Sequence, residues 1–420
     1  MGNTISKEQM KQAYPRYEKN QAFYDGRIDE VVTGFEKTFG DAENVRFFSA
    51  PGRIEIGGNH TDHQHGSVLA ASIDLDIVGT ARKTETSTVR ILSEGYPMLT
   101  LDISDLTILE EEKNTTNSLI RGIYAQFKEL KYETSGMDVF CISNVLKGSG
   151  LSSSAAFEVF IGTVMNHLFC DGAISSVKIA QIGQYAENVY FGKPSGLMDQ
   201  MASSVGNIVA IDFNDNDNPI IEKVDFDFAT ANHSICIIDS GADHADLTDE
   251  YTAIPVEMKG VAKLLGKSVL REVDKADVVK NVGLIREKLG DRALLRAFHF
   301  FGDHEKAVLE AKCLKENDFA QFLEVVKKSG DSSYMYLQNV YVSGAIQNQE
   351  VAVGLCMCQE LLGERGAYRV HGGGFAGTLQ AFVPNDLLDE FKTAMEKVMG
   401  EGSCHVLSIR SVGGVELKKA

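Results

Sequence analysis

Residues 146–160 read LKGSGLSSSAAFEVF. Gly148 and Gly150 free the backbone to turn, so that consecutive N–H groups can face one ligand. Ser152, Ser153 and Ser154 add hydroxyls, and the apolar spacing that follows predicts a helix over 153–169. A glycine turn feeding a helix N-terminus is an anion cradle, because unsatisfied amides and the helix dipole point the same way. An N-cap alone needs one serine, so the stretch is read as a phosphate loop. It is not a Walker A loop: Gly266-Lys267-Ser268 lacks the upstream glycine at the required spacing and is expected inside a helical stretch.

Outward from the loop, helices are expected over 7–40, 117–130, 176–190, much of 245–330, 344–362 and 385–399. Strands are expected at FFSAPGRIEIGG, VLAASIDLDIVGTARK, TVRILSE, MDVFCIS, NIVAIDF, SICIID, AYRVH, TLQAFV and near VLSIR. They interleave without a regular βαβ rhythm, which predicts an α+β fold. The acidic turn NDNDNP marks the boundary between expected units at 1–215 and 216–420. Gly372, Gly374 and Gly377 spell GxGxxG, but a strand-like segment follows them, so a dinucleotide fold is excluded and a glycine loop between strands is expected.

Two further segments carry chemistry. APGRIEIGGNHTDHQHG (50–66) crowds Arg53, Glu55, Asn59, His60, Asp62, His63, Gln64 and His65 into one turn. An aspartate can accept from vicinal sugar hydroxyls, and no cysteine or third ligand stands nearby, so polyol binding is favoured over a metal. AENVYFGKPSGLMDQ (186–200) separates Glu187 from Asp199, a spacing that suits one carboxylate for a cation and one for a proton.

The 420 residues carry 41 Lys and Arg against 59 Asp and Glu, a net charge of −18, which excludes nucleic acid or an anionic membrane as the main partner. No apolar run approaches the roughly 18 residues of a membrane span. The N-terminus has no signal-peptide core, and the seven scattered cysteines form no CxxC pair. A cytoplasmic protein is expected, with Cys356 and Cys358 as buried free thiols. Glycines number 39 against 7 prolines, and ten of them fall in the three glycine-rich segments.

Together, and in this order, these segments resemble the galactokinase, homoserine kinase, mevalonate kinase and phosphomevalonate kinase (GHMP) superfamily, its galactokinase branch most closely. PGRIEIGGNHTDHQHG is similar to the branch's sugar signature, KGSGLSSSAAFEV to the phosphate loop, and RVHGGGFAGTLQAFV to the C-terminal glycine motif. DSGADHADLTDEY places His244 and Tyr251 at the spacing of a later sugar-side segment. The resemblance implies a ribosomal-S5-like N-terminal domain, a ferredoxin-like C-terminal domain and an active site in the cleft. It implies ATP-dependent phosphorylation of the anomeric hydroxyl of galactose, in a cytoplasmic protein that acts as a monomer on small molecules. Asp199 and Arg53 would be catalytic. Gly148, Ser149, Gly150, Leu151, Ser152, Ser153 and Ser154 would hold the ATP phosphates, and Ser154 and Glu187 would hold Mg²⁺. Asn59, His60, Asp62, Gly196 and Tyr251 would contact the sugar, with Gly373 and Gly374 close to the site.

The chain departs from the branch at Asn59, where a sugar-binding glutamate is usual, and at His63, where a tyrosine is usual. Leu146-Lys147 replaces Pro-Leu before the loop, and there is no tryptophan for an adenine pocket. A sibling kinase acting on galacturonate, N-acetylgalactosamine or arabinose is therefore the alternative, followed by a non-catalytic sugar sensor. The intact GLSSSAA, Glu187 and Asp199 speak against the sensor.

Overall fold

The structure, a computed structural model, describes residues 5–145, 151–242 and 247–420. Leu146, Lys147, Gly148, Ser149, Gly150 and His244 lie outside the described residues. Helices α1 (Lys7–Ala13) and α2 (Gln21–Phe39) open the chain. Tyr24, Ile28, Val31 and Phe35 recur along one side of α2 and are buried with Phe47, Val78, Phe140 and Ile142. The latter four lie on the first sheet, formed by β1 (Arg46–Gly57), β2 (Ser67–Lys83), β3 (Thr88–Ser93), β4 (Leu99–Asp102), β5 (Met137–Ser143), β6 (Ile208–Asp212) and β7 (Ile220–Val224).

Helices α3 (Thr116–Glu129), α4 (Ser153–Cys170), α5 (Ser176–Tyr185) and α6 (Met198–Val205) form a layer on the opposite side. Phe47 joins one core and Phe48 the other, as the period of a strand requires. With both faces covered, β1 and β2 are almost continuously buried. Register breaks between Pro51 and Arg53 and between Glu55 and Gly57 interrupt the pairing of β1 with β2 at the residues that reach the site.

The second sheet holds β8 (His233–Asp239), β9 (Ala367–His371), β10 (Thr378–Pro384) and β11 (Cys404–Leu407) in the order β11-β8-β10-β9, all antiparallel. Helix α12 (Glu350–Leu362) precedes β9, and α13 (Leu388–Met399) joins β10 to β11, giving a ferredoxin-like βαββαβ order. Between β8 and α12 lie α7 (Thr248–Leu264), α8 (Lys275–Lys280), α9 (Val282–Leu289), α10 (Asp291–Lys315) and α11 (Phe319–Ser332). The 25-residue α10 packs on β1 and β2, and its buried side includes Arg296, His299, Asp303 and Glu310. The chain end returns as β12 (Val415–Leu417) to pair with β1.

A fully buried carboxylate ties this return to the N-terminal helices. Asp76 accepts from Tyr14, Arg27, Ser49 and Arg410, so α1, α2, β1 and the chain end share one anion. The burial cost of that charge is offset only while its partners stay in place.

Several expectations need correction. The helix expected through 190 is α-helical to Tyr185 and then widens into a π-turn, Ala186–Phe191. The helix expected from 344 starts at Glu350. Cys358 is buried but Cys356 is exposed, because two residues along a helix turn a side chain about 200°. Gly266 lies in the turn after α7 with φ of 78°, not inside a helix. Gly372, Gly374 and Gly377 do lie between strands β9 and β10.

Candidate active site

A cavity of about 690 Å³ opens where the turn after β1, the N-terminus of α4, segment 187–200 and the loop after β9 meet. Among the described residues α4 has no side-chain cap at its N-terminus: Ser152, at φ 54°, points its hydroxyl to Asp199 Oδ2. Ser152, Ser153 and Ser154 therefore line the cavity at the N-terminal end of α4, the arrangement that suits an anion. Leu151 is buried and lines the same wall, with its carbonyl accepting from the Arg53 N–H at 3.3 Å.

Asp199 is in the first turn of α6, whose N-cap is Leu197, so it is not the cap of that helix. Its Oδ1 accepts from Arg53 Nε at 2.7 Å, and its side chain is one-third exposed to the cavity (33 %). Burial pushes this carboxyl up, but the Arg53 charge and the hydrogen bonds from Arg53 and Ser152 outweigh it and hold Asp199 below its ordinary range. The result is an ionised, two-point-oriented carboxylate facing a helix N-terminus.

Glu187 sits on the π-turn and is buried. Its Oε1 meets Lys193 Nζ at 3.0 Å and its Oε2 accepts from Gln200 Nε2 at 2.9 Å. The same Gln200 amide donates to Glu158 Oε2 at 2.9 Å. Burial, then the neighbouring Glu187 charge, raise the Glu158 carboxyl well above the usual range. Ser154 and Glu187 line one cavity and offer hard oxygen donors, and Oε1 of Glu187 already faces an ammonium. That donor set fits Mg²⁺.

On the other side, His60 has φ of 59° and its Nε2 lies 3.3 Å from the Gly373 carbonyl. Burial pushes its imidazole down to about 3, so it is a neutral hydrogen-bonding group. Asp62 lies against Gly196, where any side chain would overlap the carboxylate. Tyr251 donates to the Gly374 carbonyl at 3.1 Å, and its ring occupies the space a side chain at Gly373 would need. His60, Asp62, Gly196 and Tyr251 thus share one wall.

Asn59 does not join them. It has no exposed surface and its amide is fully engaged elsewhere. Nδ2 donates to Glu55 Oε1 (2.9 Å) and the Gly372 carbonyl (2.7 Å), while Oδ1 accepts from Ser333 Oγ (3.2 Å) and Asn339 Nδ2 (2.8 Å). Its N–H donates to Asp303 Oδ2 at 2.7 Å. The expectation that Asn59 touches sugar is corrected: the left-handed turn at His60 faces His60 to the cavity and leaves Asn59 inside.

Glu55 and His63, named from the sequence without a role, also line the cavity, as do Lys193 and His371, which were not named. Lys193 had a visible signal, as the one basic residue between Glu187 and Asp199. The environment of Glu55 had none, since it comes from Arg369, 2.8 Å away, and Asn59. Burial raises the Glu55 carboxyl from 4.5 to about 7 against the pull of Arg369 and Arg53. A raised folded pKa makes its contribution to stability full below about 4.5 and lost as pH rises through about 7. Glu55→Gln should remove a pH-dependent loss of up to about 3 kcal/mol between those limits. Urea denaturation of both proteins from pH 5 to 8 checks this, and parallel curves would contradict it.

Comparison with known proteins agrees with this geometry. The galactokinase galactose-binding signature matches residues 33–83, and the GHMP kinases N terminal domain matches 118–207. The galactokinase of Lactococcus lactis subsp. cremoris is 28% identical over 381 residues, covering 89% of this chain and 92% of that protein. The galactokinase of Glaesserella parasuis is 29% identical over 390 residues, covering 89% and 93%. The crystal structure of Lactococcus lactis galactokinase complexed with galactose superposes with a TM-score of 0.80 at 25% identity, over 92% of this chain and 99% of that one. A mevalonate kinase structure shares the fold at a TM-score of 0.60 and 15% identity, covering 86% and 98%. With a helix N-terminus facing an arginine-held aspartate in a two-domain α+β frame, the chain is similar to the galactokinase branch of the GHMP kinase superfamily.

Proposed function

We propose that this protein is an ATP-dependent sugar 1-kinase that converts galactose to galactose 1-phosphate. The observation that carries the reading is the Arg53–Asp199–Ser152 constellation between the α4 N-terminus and the His60–Asp62 turn. In this reading Asp199 accepts the proton of the C1 hydroxyl, the freed oxygen bonds to the γ-phosphorus, and the bond to the ADP oxygen breaks. Arg53 keeps Asp199 ionised and faces the charge on the transferring group, while the α4 amides and Ser152–Ser154 hydroxyls position phosphate. Ser154 and Glu187 would hold Mg²⁺, which when bound neutralises phosphate charge. His60, Asp62 and Tyr251 would bind sugar hydroxyls, and Gly196 would leave them room.

The charges favour a neutral sugar. Among the described lining residues, the lysine and arginine side chains are Arg53 and Lys193, each paired with a carboxylate at the phosphoryl end. A C6 carboxylate on the sugar side would meet Asp62 and neutral His60 instead. We further infer a cytoplasmic monomer whose two units divide between β7 and β8 and not at the expected residue 215, because β7 pairs with β6 in the first sheet. Among the described residues, no helix is long and apolar enough to cross a membrane. Assay of the purified protein with Mg-ATP against galactose, galacturonate, N-acetylgalactosamine and arabinose tests the substrate. Galactose should be turned over at least tenfold faster than the others, in line with discrimination of roughly 10–200-fold from pocket contacts. Galacturonate turnover without galactose turnover would overturn the reading.

A further inference from the structure

Lys193 stands apart from the other polar residues of the cavity. Its side chain is 59 % exposed, whereas the Glu187 carboxylate beneath it is 5 % exposed, so the ammonium covers a buried anion from the cavity side. The other oxygen of Glu187 is held by Gln200, whose amide also binds Glu158. Oε1 is therefore the corner of Glu187 that a ligand can reach, and Lys193 holds it. The lysine belongs to the short segment between the π-turn and α6, and lines the same cavity as Ser152, Ser153 and Ser154.

Two cations cannot share one carboxylate oxygen at contact distance without strong repulsion. A divalent ion arriving at Glu187 must displace the ammonium. On its flexible four-carbon stem, the displaced group stays within the cavity, where nucleotide phosphate oxygens offer it a new partner.

We propose that Lys193 is a tethered counter-ion that holds Glu187 until a divalent cation takes that carboxylate, and then moves to a nucleotide phosphate oxygen. The inference rests on the reading of Glu187 as the metal ligand. It makes metal and nucleotide binding mutually dependent, because the nucleotide supplies the lysine's second partner. Metal alone binds weakly, since it must strand an ammonium.

The test uses the full-length protein, with Mn²⁺ as the probe followed by electron paramagnetic resonance, with and without a non-hydrolysable ATP analogue. Lys193→Met, and Lys193→Gln as a variant that still donates a hydrogen bond to Glu187, should bind Mn²⁺ about tenfold more tightly than the parent without nucleotide. Both should bind the Mn²⁺-loaded analogue about fivefold more weakly, with metal-free analogue binding unchanged, shrinking the coupling. Glu187→Gln should lose Mn²⁺ binding. Unchanged Mn²⁺ affinity in both Lys193 variants, with binding lost in Glu187→Gln, would overturn the inference and leave the reading of Glu187 standing. Mn²⁺ binding untouched in Glu187→Gln would overturn both.

Discussion

Asp199→Asn is expected to lower kcat by about three orders of magnitude, within the range of about 10²–10⁴ for removal of a positioned base. Nucleotide affinity should stay within about twofold, because the α4 amides and the Ser153 and Ser154 hydroxyls are untouched and the Ser152 hydroxyl can turn to accept from the new amide. Asparagine keeps an oxygen for Arg53 Nε, so the geometry around Asp199 is retained and the change isolates charge. The neutral amide can neither accept the C1 proton nor balance Arg53. Asp199 is held below its ordinary range by Arg53 and Ser152, against burial. Its ionised form therefore dominates throughout neutral pH, and no acid limb in that region should come from this residue. Single-turnover kinetics with galactose, alongside nucleotide titration, separate the two quantities. A kcat near that of the parent would refute the base assignment, and a lost nucleotide affinity would mark a structural effect instead.

Asn59→Glu is expected to destabilise the protein by about 3–5 kcal/mol, the scale of an uncompensated buried charge. This restores the glutamate usual in the branch, and a sequence argument alone would assign it an effect on sugar preference. The structure gives a different result. The Asn59 amide N–H groups point at the Glu55 carboxylate and the Gly372 carbonyl, with Asp303 on the backbone N–H. A carboxylate there sets acceptor against acceptor twice and adds a charge where Glu55 and Asp303 already stand. Urea unfolding measures the loss. A variant that keeps its stability and changes its sugar preference would mean that residue 59 reaches the substrate.

How much of this was legible in the sequence differs by residue. The helix from Ser153, the strands on both sides of it and the glycine loop after β9 follow from apolar spacing and glycine placement, which are local signals. β7 and β12 are not local. Ile220–Val224 is a mostly exposed partner of β6, and Val415–Leu417 becomes a strand because Leu417 lies opposite Phe47, across most of the chain. At the site, the residue types were visible in two segments, and their orientations were not. Asn59 turns inward because α10 and the turn after α11 bring Asp303, Ser333 and Asn339 to it, contacts more than two hundred residues distant. The lysine on Glu187 depends on the π-turn, which widens the backbone by one residue per turn at a place where spacing reads only as helix.

The most direct test of the central claim is phosphorus NMR of a reaction containing the protein, Mg-ATP and galactose. A new phosphate ester coupled to the anomeric proton, formed in step with ADP, is the predicted result. ADP formed without a sugar ester, an ester on any hydroxyl other than C1, or no reaction with galactose would contradict it.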